Sequence, residues 1–289
     1  MNQNGIIDLL FDLLSITHII RVKVLDEKKT VLDVGGSIEK AVKGDFTINQ
    51  QSILKEAWQN TLSSRMSINL GLLVIFIFAT IISLLVIDAL GGYEVILEDP
   101  QASMIFNVIV TLLTWPFLAG IEMMGVLHSV GMKTQPKLVF SFLKRGSWVA
   151  LCALISSLFV GVGLQLFVIP GIFLAVALSL VIPLVVEKKF SPIKAIIVSL
   201  QALRFQWFKI FSLYLILISL LIVSLFPLIF LAQTSFSVIG GIIFFFSLSY
   251  LAPFYYNIKG ILYREIFGLQ LISIDGVTLP PTSNDTFSA

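Results

Sequence analysis

The chain has 289 residues and a net charge of +2, with 57% hydrophobic and only 12% charged side chains, at a mean hydropathy of +0.99. Soluble domains sit near 45–50% apolar and about 25% charged, so an ordinary soluble globule is excluded. The charge is too mild for a nucleic-acid partner, and the lone Cys152, set in an apolar block, allows neither an intrachain disulfide nor a thiolate metal cage.

In chain order, residues 5–14 carry Asp8 and Asp12 within an apolar run, which predicts a short amphipathic helix and argues against a cleavable signal peptide. Residues 17–24 alternate apolar and polar side chains, and a turn over Asp26–Lys29 into Thr30–Val34 predicts a β-hairpin closed by Gly35 and Gly36. In Ser52–Leu62 the residues Ile53, Leu54, Ala57, Trp58 and Leu62 recur at helical spacing. That pattern predicts an amphipathic helix lying on a membrane surface, N-capped by Ser52, with Trp58 at headgroup depth.

Six apolar blocks follow, each of about the 20 residues that cross a hydrocarbon core of roughly 30 Å. They are Ile68–Leu90, Met104–Leu127, Trp148–Val168, Ile172–Val186, Ile210–Ala232 and Val238–Ile258, the last running on into Tyr263. A tight Pro170-Gly171 turn is expected between the third and fourth, and the short fourth block leaves a kinked or re-entrant path open. The expected organisation is a cytoplasmic segment over residues 1–50, a transmembrane domain over 51–268 and a largely disordered tail over 269–289. The fold class is thus an all-α polytopic membrane protein: six spans in three hairpins, each preceded by an interfacial helix.

All 19 Lys and Arg fall before the first block, between the second and third, between the fourth and fifth, or after the sixth. The other three loops have none, and the first of these carries Asp88, Glu94, Glu98 and Asp99. The cytoplasmic excess of Lys and Arg therefore predicts both termini on the cytoplasmic side. Ile53–Met66, Leu138–Arg145 and Pro192–Lys209 each precede a hairpin and each carry basic residues close to the lipid, which reads as three repeated units. An amphipathic inside loop of any origin would give the same pattern. Ser191 as N-cap and Pro192 at the first helical position suit a helix start.

No phosphate loop, nucleophile elbow or His-Glu-x-x-His motif occurs, and His18 and His128 are the only histidines, so neither enzyme activity nor a cofactor or metal site is expected. Glu122 stands out, because a carboxylate within a span is costly and marks a site by default. It either snorkels or pairs with His128 or Lys133 as a structural group, or serves an ion or substrate site. Pro116, Pro170, Pro183, Pro227 and Pro253 could break helices around a central site lined by Gln165 and Gln233, as in transporters. They are equally ordinary spanning-helix prolines. Gly120, Gly125, Gly161 and Gly163 read as close helix contacts, and Tyr250, Tyr255, Tyr256 and Tyr263 as anchors and core.

The run Ile169–Glu187, in which Pro170 and Gly171 open a helix that ends at Pro183 and Glu187, is followed by Ser191–Leu200 with its Pro, Ala and Ser. This resembles the YciC-like bacterial inner-membrane proteins and the membrane domain attached to some glycerophosphodiester phosphodiesterases. Gly44–Ile48 with Ile53–Trp58 is similar to the family's entry into its first span, and the resemblance covers roughly residues 44–268. It implies six spans and an uncharacterised role; its motifs are packing and turn residues. The function expected is non-catalytic: organising, sensing or supporting the bilayer or a partner complex, with a small-solute or lipid transporter as the alternative. The partners expected are anionic lipid at the basic face and a protein reached through residues 1–67.

Overall fold

The computed structural model describes residues 30–274 and 277–279. The expected helix over residues 5–14 and the strand over 17–24 lie outside the described residues.

The described elements run β1 (Thr30–Val34), α1 (Ile38–Lys43), α2 (Gln50–Ala89), α3 (Tyr93–Glu98), α4 (Pro100–His128), α5 (Gly146–Leu166), α6 (Val168–Ala177), α7 (Val181–Val186), α8 (Pro192–Leu203), α9 (Trp207–Leu231), α10 (Ser237–Phe267), β2 (Leu269–Ile274) and β3 (Val277–Leu279). Short 3-10 turns at Pro136–Phe140 and Leu143–Arg145 precede α5, and one at Arg204–Gln206 links α8 to α9. Six of these paths are long and apolar enough to cross a membrane: Gln50–Ala89, Pro100–His128, Pro136–Leu166, Val168–Val186, Pro192–Leu231 and Ser237–Phe267. The protein is a multi-pass α-helical membrane protein. Its outer surface carries large apolar side chains such as Phe76, Phe226, Phe230 and Phe245, as contact with lipid requires.

The chain divides into two compact units, residues 35–269 and a smaller unit holding Thr30–Val34 and Gln270–Leu279 among the described residues. In the smaller unit the sheet order is β1-β2-β3, and β2 pairs antiparallel with β3 through Ile272–Leu279, Ser273–Thr278 and Ile274–Val277. Strand Thr30–Val34 is present, with β2 as its described neighbour, and strands lie over Leu269–Ile274 and Val277–Leu279, where an irregular tail is expected. In the sequence, the Asp275-Gly276 dipeptide between two alternating segments is a hairpin signal.

In the helical unit α10 packs against α2, α4 and α9, while α4 also meets α2 and α5, and α5 pairs with α6. Helix α2 differs most from expectation. Its 40 residues form one helix of roughly 60 Å at 1.5 Å per residue, twice the hydrocarbon thickness. No Gly or Pro interrupts residues 50–70, so the stretch around Trp58 is a continuation of the span and not a separate surface helix. Its cap is Asn49, which accepts from Ser52 N, one turn before the Ser52 expected. Trp58 stacks on Tyr250 and meets Phe254 edge-on, and Arg65 lies over the Tyr250 ring, so this extension is held to α10.

Helix α8 begins as predicted, with Ser191 accepting from Lys194 N and Pro192 at the first position. One face, including Ala195, Ser199 and Ala202, is buried, and Ile193, Ile197 and Lys194 face outward. The turn between the third and fourth paths falls at Phe167, not at Pro170-Gly171, which sit inside the first turn of α6. A proline there removes an N–H that has no intrahelical partner in any case. The fourth path is broken at Leu178–Leu180, between α6 and α7. Pro183 explains the break: it cannot donate to the carbonyl four residues back, Ser179, and its ring crowds that carbonyl. At Pro253 the corresponding freed carbonyl, Ser249 O, accepts from Asn69 Nδ2 of α2 at 2.8 Å, which favours the ordinary reading of that proline.

Candidate intramembrane site

Two glycines set the geometry of the site. A methyl group placed on Gly260 would lie 2.0 Å from Gly125 O, and one on Gly125 would lie 2.1 Å from Tyr256 O. Helices α4 and α10 therefore cross backbone against backbone at these residues, the approach that small side chains permit within a membrane. Glu122 lies three residues before Gly125, and Lys259 directly before Gly260, so the crossing brings them together. Lys259 Nζ donates to Glu122 Oε1 at 2.6 Å, with both side chains almost fully buried.

This corrects the expected partners of Glu122: it neither snorkels nor pairs with His128 or Lys133. Lys259, counted in the sequence with the residues that follow the last span, is inside α10. Isolated, either charge would be very costly away from water; paired at hydrogen-bond distance they form a neutral unit. Tyr255 presents its ring to Lys259 Nζ at 5.6 Å and lies 6.1 Å from the Tyr214 ring and 5.1 Å from that of Tyr256. Four buried side-chain atoms have no hydrogen-bond partner among the described residues: Glu122 Oε2, Ser156 Oγ, Ser179 Oγ and Tyr214 OH.

Toward the Lys- and Arg-bearing end lies a second polar layer. His128 meets Asn257 Oδ1 through Nδ1 at 3.0 Å and Thr134 Oγ1 through Nε2 at 2.8 Å. Asn257 Nδ2 donates to Thr61 Oγ1 at 3.0 Å, and Thr61 donates to Ala57 O at 2.8 Å. This chain orients Asn257 with its oxygen toward the ring, and the Thr134 hydroxyl donates onward to Ser67 Oγ at 3.1 Å. The layer ties α2, α4 and α10 together by side chains 129 and 196 residues apart in sequence.

At the end of the bundle, Arg264 donates to both oxygens of Glu56, at 2.6 and 2.9 Å, and also to Glu265 and to Ser129 O. Tyr263 OH donates to Glu187 Oε2 at 2.7 Å, and Lys188 pairs with the same carboxylate at 3.1 Å. Arg145 donates to Val185 O at 2.8 Å, joining the start of α5 to α7.

The sequence-predicted residues thus separate. Glu122 is in the buried pair, and Glu187 caps α7 and binds Tyr263. Pro183 is buried in α7 and shapes the break. Pro170 and Gly171 lie at the other end of the bundle, where Gly171 packs against Leu164 and Gly163. Of the glycines read as helix contacts, Gly120, Gly125 and Gly163 meet a neighbouring backbone, whereas nothing lies within 4 Å of a methyl on Gly161. Gln165 and Gln233 are exposed and do not line the cluster. Lys259, Asn257, Tyr214 and Ser179 were missed. Lys259 had a signal: it sits four residues after Tyr255 in a segment with no helix stop before Gly268.

Among the described residues no group of three or more His, Cys, Asp or Glu is placed to hold a metal ion. Compared with protein-family models, curated proteins and solved structures, the chain matches none of them.

Proposed function

We propose that this chain is a non-catalytic protein of a bacterial inner membrane, with both termini cytoplasmic, that organises, senses or supports the bilayer or a partner complex. The observation that carries this reading is how the charged groups at and inside the basic half of the bundle are used. Glu122 with Lys259, Glu56 with Arg264, and Glu187 with Tyr263 join one helix to another, so these groups act as ties between spans. The resemblance of Ile169–Glu187 to YciC-like proteins supports the same reading, and the Lys and Arg asymmetry supports the orientation.

Anionic lipid is the proposed partner at the basic face. Ile193, Ile197, Phe205 and Phe208 are exposed there beside Lys194 and Arg204, an apolar and basic surface suited to the headgroup boundary. Each such cation adds on the order of 1 kcal/mol near an anionic leaflet. Binding that is indifferent to anionic lipid content removes this part of the reading.

A small-solute or lipid transporter is the second reading, favoured by the buried carboxylate oxygen of Glu122 that no side chain or backbone group meets among the described residues. Purification from native membrane with lipids and partners retained, followed by mass spectrometry, separates the two. A stoichiometric protein partner supports the organising role, and a specific small molecule or lipid without a protein supports transport.

A further inference from the structure

We propose that His128 makes the second polar layer a pH-sensitive joint, closed while the ring is neutral and loosened when acid on the Lys- and Arg-bearing side protonates it. The inference stands whichever partner the protein serves.

The joint lies where α4 and α10 cross. His128 follows Gly125 by three residues and Asn257 precedes Gly260 by three, so ring and amide meet within a turn of the backbone contact. The ring is 4% exposed, and oxygens from three segments close on it. Asn257 Oδ1 of α10 and Ser64 Oγ of α2 lie 3.0 and 3.1 Å from Nδ1, and Thr134 Oγ1 lies 2.8 Å from Nε2. Asn60 Nδ2 of α2 also donates to His128 O at 3.3 Å. One residue thus fastens the first hairpin, the loop after it and the last span.

Hydrogen bonding does not decide the charge of this ring. Thr134 donates to Ser67 Oγ at 3.1 Å and Ser67 donates to Ser64 O at 2.9 Å, but a hydroxyl turns. Thr134 can donate to Nε2 of a neutral ring or accept from a protonated one with no heavy atom moved. Thr134 and Ser67 are half-buried, and Lys133 and Gln135 on either side of Thr134 are exposed, so a proton reaches Nε2 from there.

The surrounding charges decide it. Arg65 of α2 lies over the Tyr250 ring, and Lys133 and Lys137 after α4 are exposed. Glu122 of α4 and Lys259 of α10 hold each other, and Arg264 of α10 holds both Glu56 of α2 and Glu265. Tyr256, beside Asn257, carries no charge below about pH 8. Cations on these elements already outnumber carboxylates, and each of these carboxylates already has a cation. A proton on the closed ring therefore adds a buried charge with nothing to balance it, whereas an opened joint lets water solvate it. Opening takes up a proton: it is suppressed above about pH 6.5, where an exposed imidazole is neutral, and grows by up to about tenfold per pH unit below that.

The test uses the full chain in lipid nanodiscs with 15N-labelled histidine. His18 and His128 are the only histidines, so His18→Gln assigns the spectrum. The expected result is a neutral His128 ring at pH 7.5. Hydrogen exchange of residues 57–67, corrected for its intrinsic pH dependence, should rise about tenfold or more between pH 7 and 5, with residues 215–225 of α9 as an unchanged reference. His128→Gln keeps a polar side chain that takes no proton and should abolish the rise, while His18→Gln should retain it. A ring already charged at pH 7.5, protection that ignores pH, or an equal rise in His128→Gln overturns the proposal. If His128→Gln does not fold, the first two outcomes decide on the parent protein.

Discussion

Lys259 Nζ of α10 donates to Glu122 Oε1 of α4 at 2.6 Å, and the two side chains are only 6% and 5% exposed. Removing either partner leaves the other buried and unpaired. Glu122→Gln and Lys259→Met are each expected to destabilise the fold by about 3–5 kcal/mol, and Glu122→Leu with Lys259→Met together to recover most of that loss. Thermal unfolding in detergent checks this as a double-mutant cycle. Additive losses in the double variant would mean that the two groups do not interact.

The same crossing depends on Gly125 and Gly260, where a methyl group would meet backbone atoms at 2.1 and 2.0 Å. Backbone cannot yield as the end of a flexible side chain can, so Gly260→Ala should force α4 and α10 apart and cost several kcal/mol, on the order of the larger overpacking penalties. Gly161→Ala, with nothing within 4 Å, is expected to be neutral or slightly stabilising. Yield of monodisperse protein and its melting point report both.

Arg264 tests whether planar geometry matters at the basic end. Its guanidinium grips Glu56 with two bonds while also reaching Glu265 and Ser129 O. Arg264→Lys keeps the charge but loses the fork, and should cost about 1.5–3 kcal/mol. Hydrogen exchange at the start of α2 is the direct readout, because Glu56 lies there. Unchanged protection in Arg264→Lys would assign the effect to charge alone.

The proposed orientation is open to site-specific labelling. With the buried Cys152 replaced by Ser, Glu98→Cys should react with an impermeant maleimide on intact cells, and Lys189→Cys only after the membrane is opened. The opposite pattern reverses the topology.

Hydropathy and the placement of Lys and Arg by themselves determined the six spans and their pairing into hairpins. Both are properties of segments of about 20 residues, which membrane thickness imposes without regard to neighbours. The sequence also determined the start of α8, because Ser191 and Pro192 act within one turn. Other features needed tertiary structure. The partner of Glu122 is 137 residues away and is selected by the close approach at Gly125 and Gly260, which no local pattern encodes. Trp58 reads as a headgroup anchor on an amphipathic stretch, yet packing on Tyr250 and Phe254 holds α2 straight through that region. Thr30–Val34 reads as a strand, and among the described residues it joins one that begins at Leu269, far along the chain. A strand's propensity is local, but its hydrogen-bond partner is a matter of which edge the folded chain brings alongside it. The break at Ser179 lies between the two: Pro183 announces it, and only the packing of the helices decides that its hydroxyl is buried.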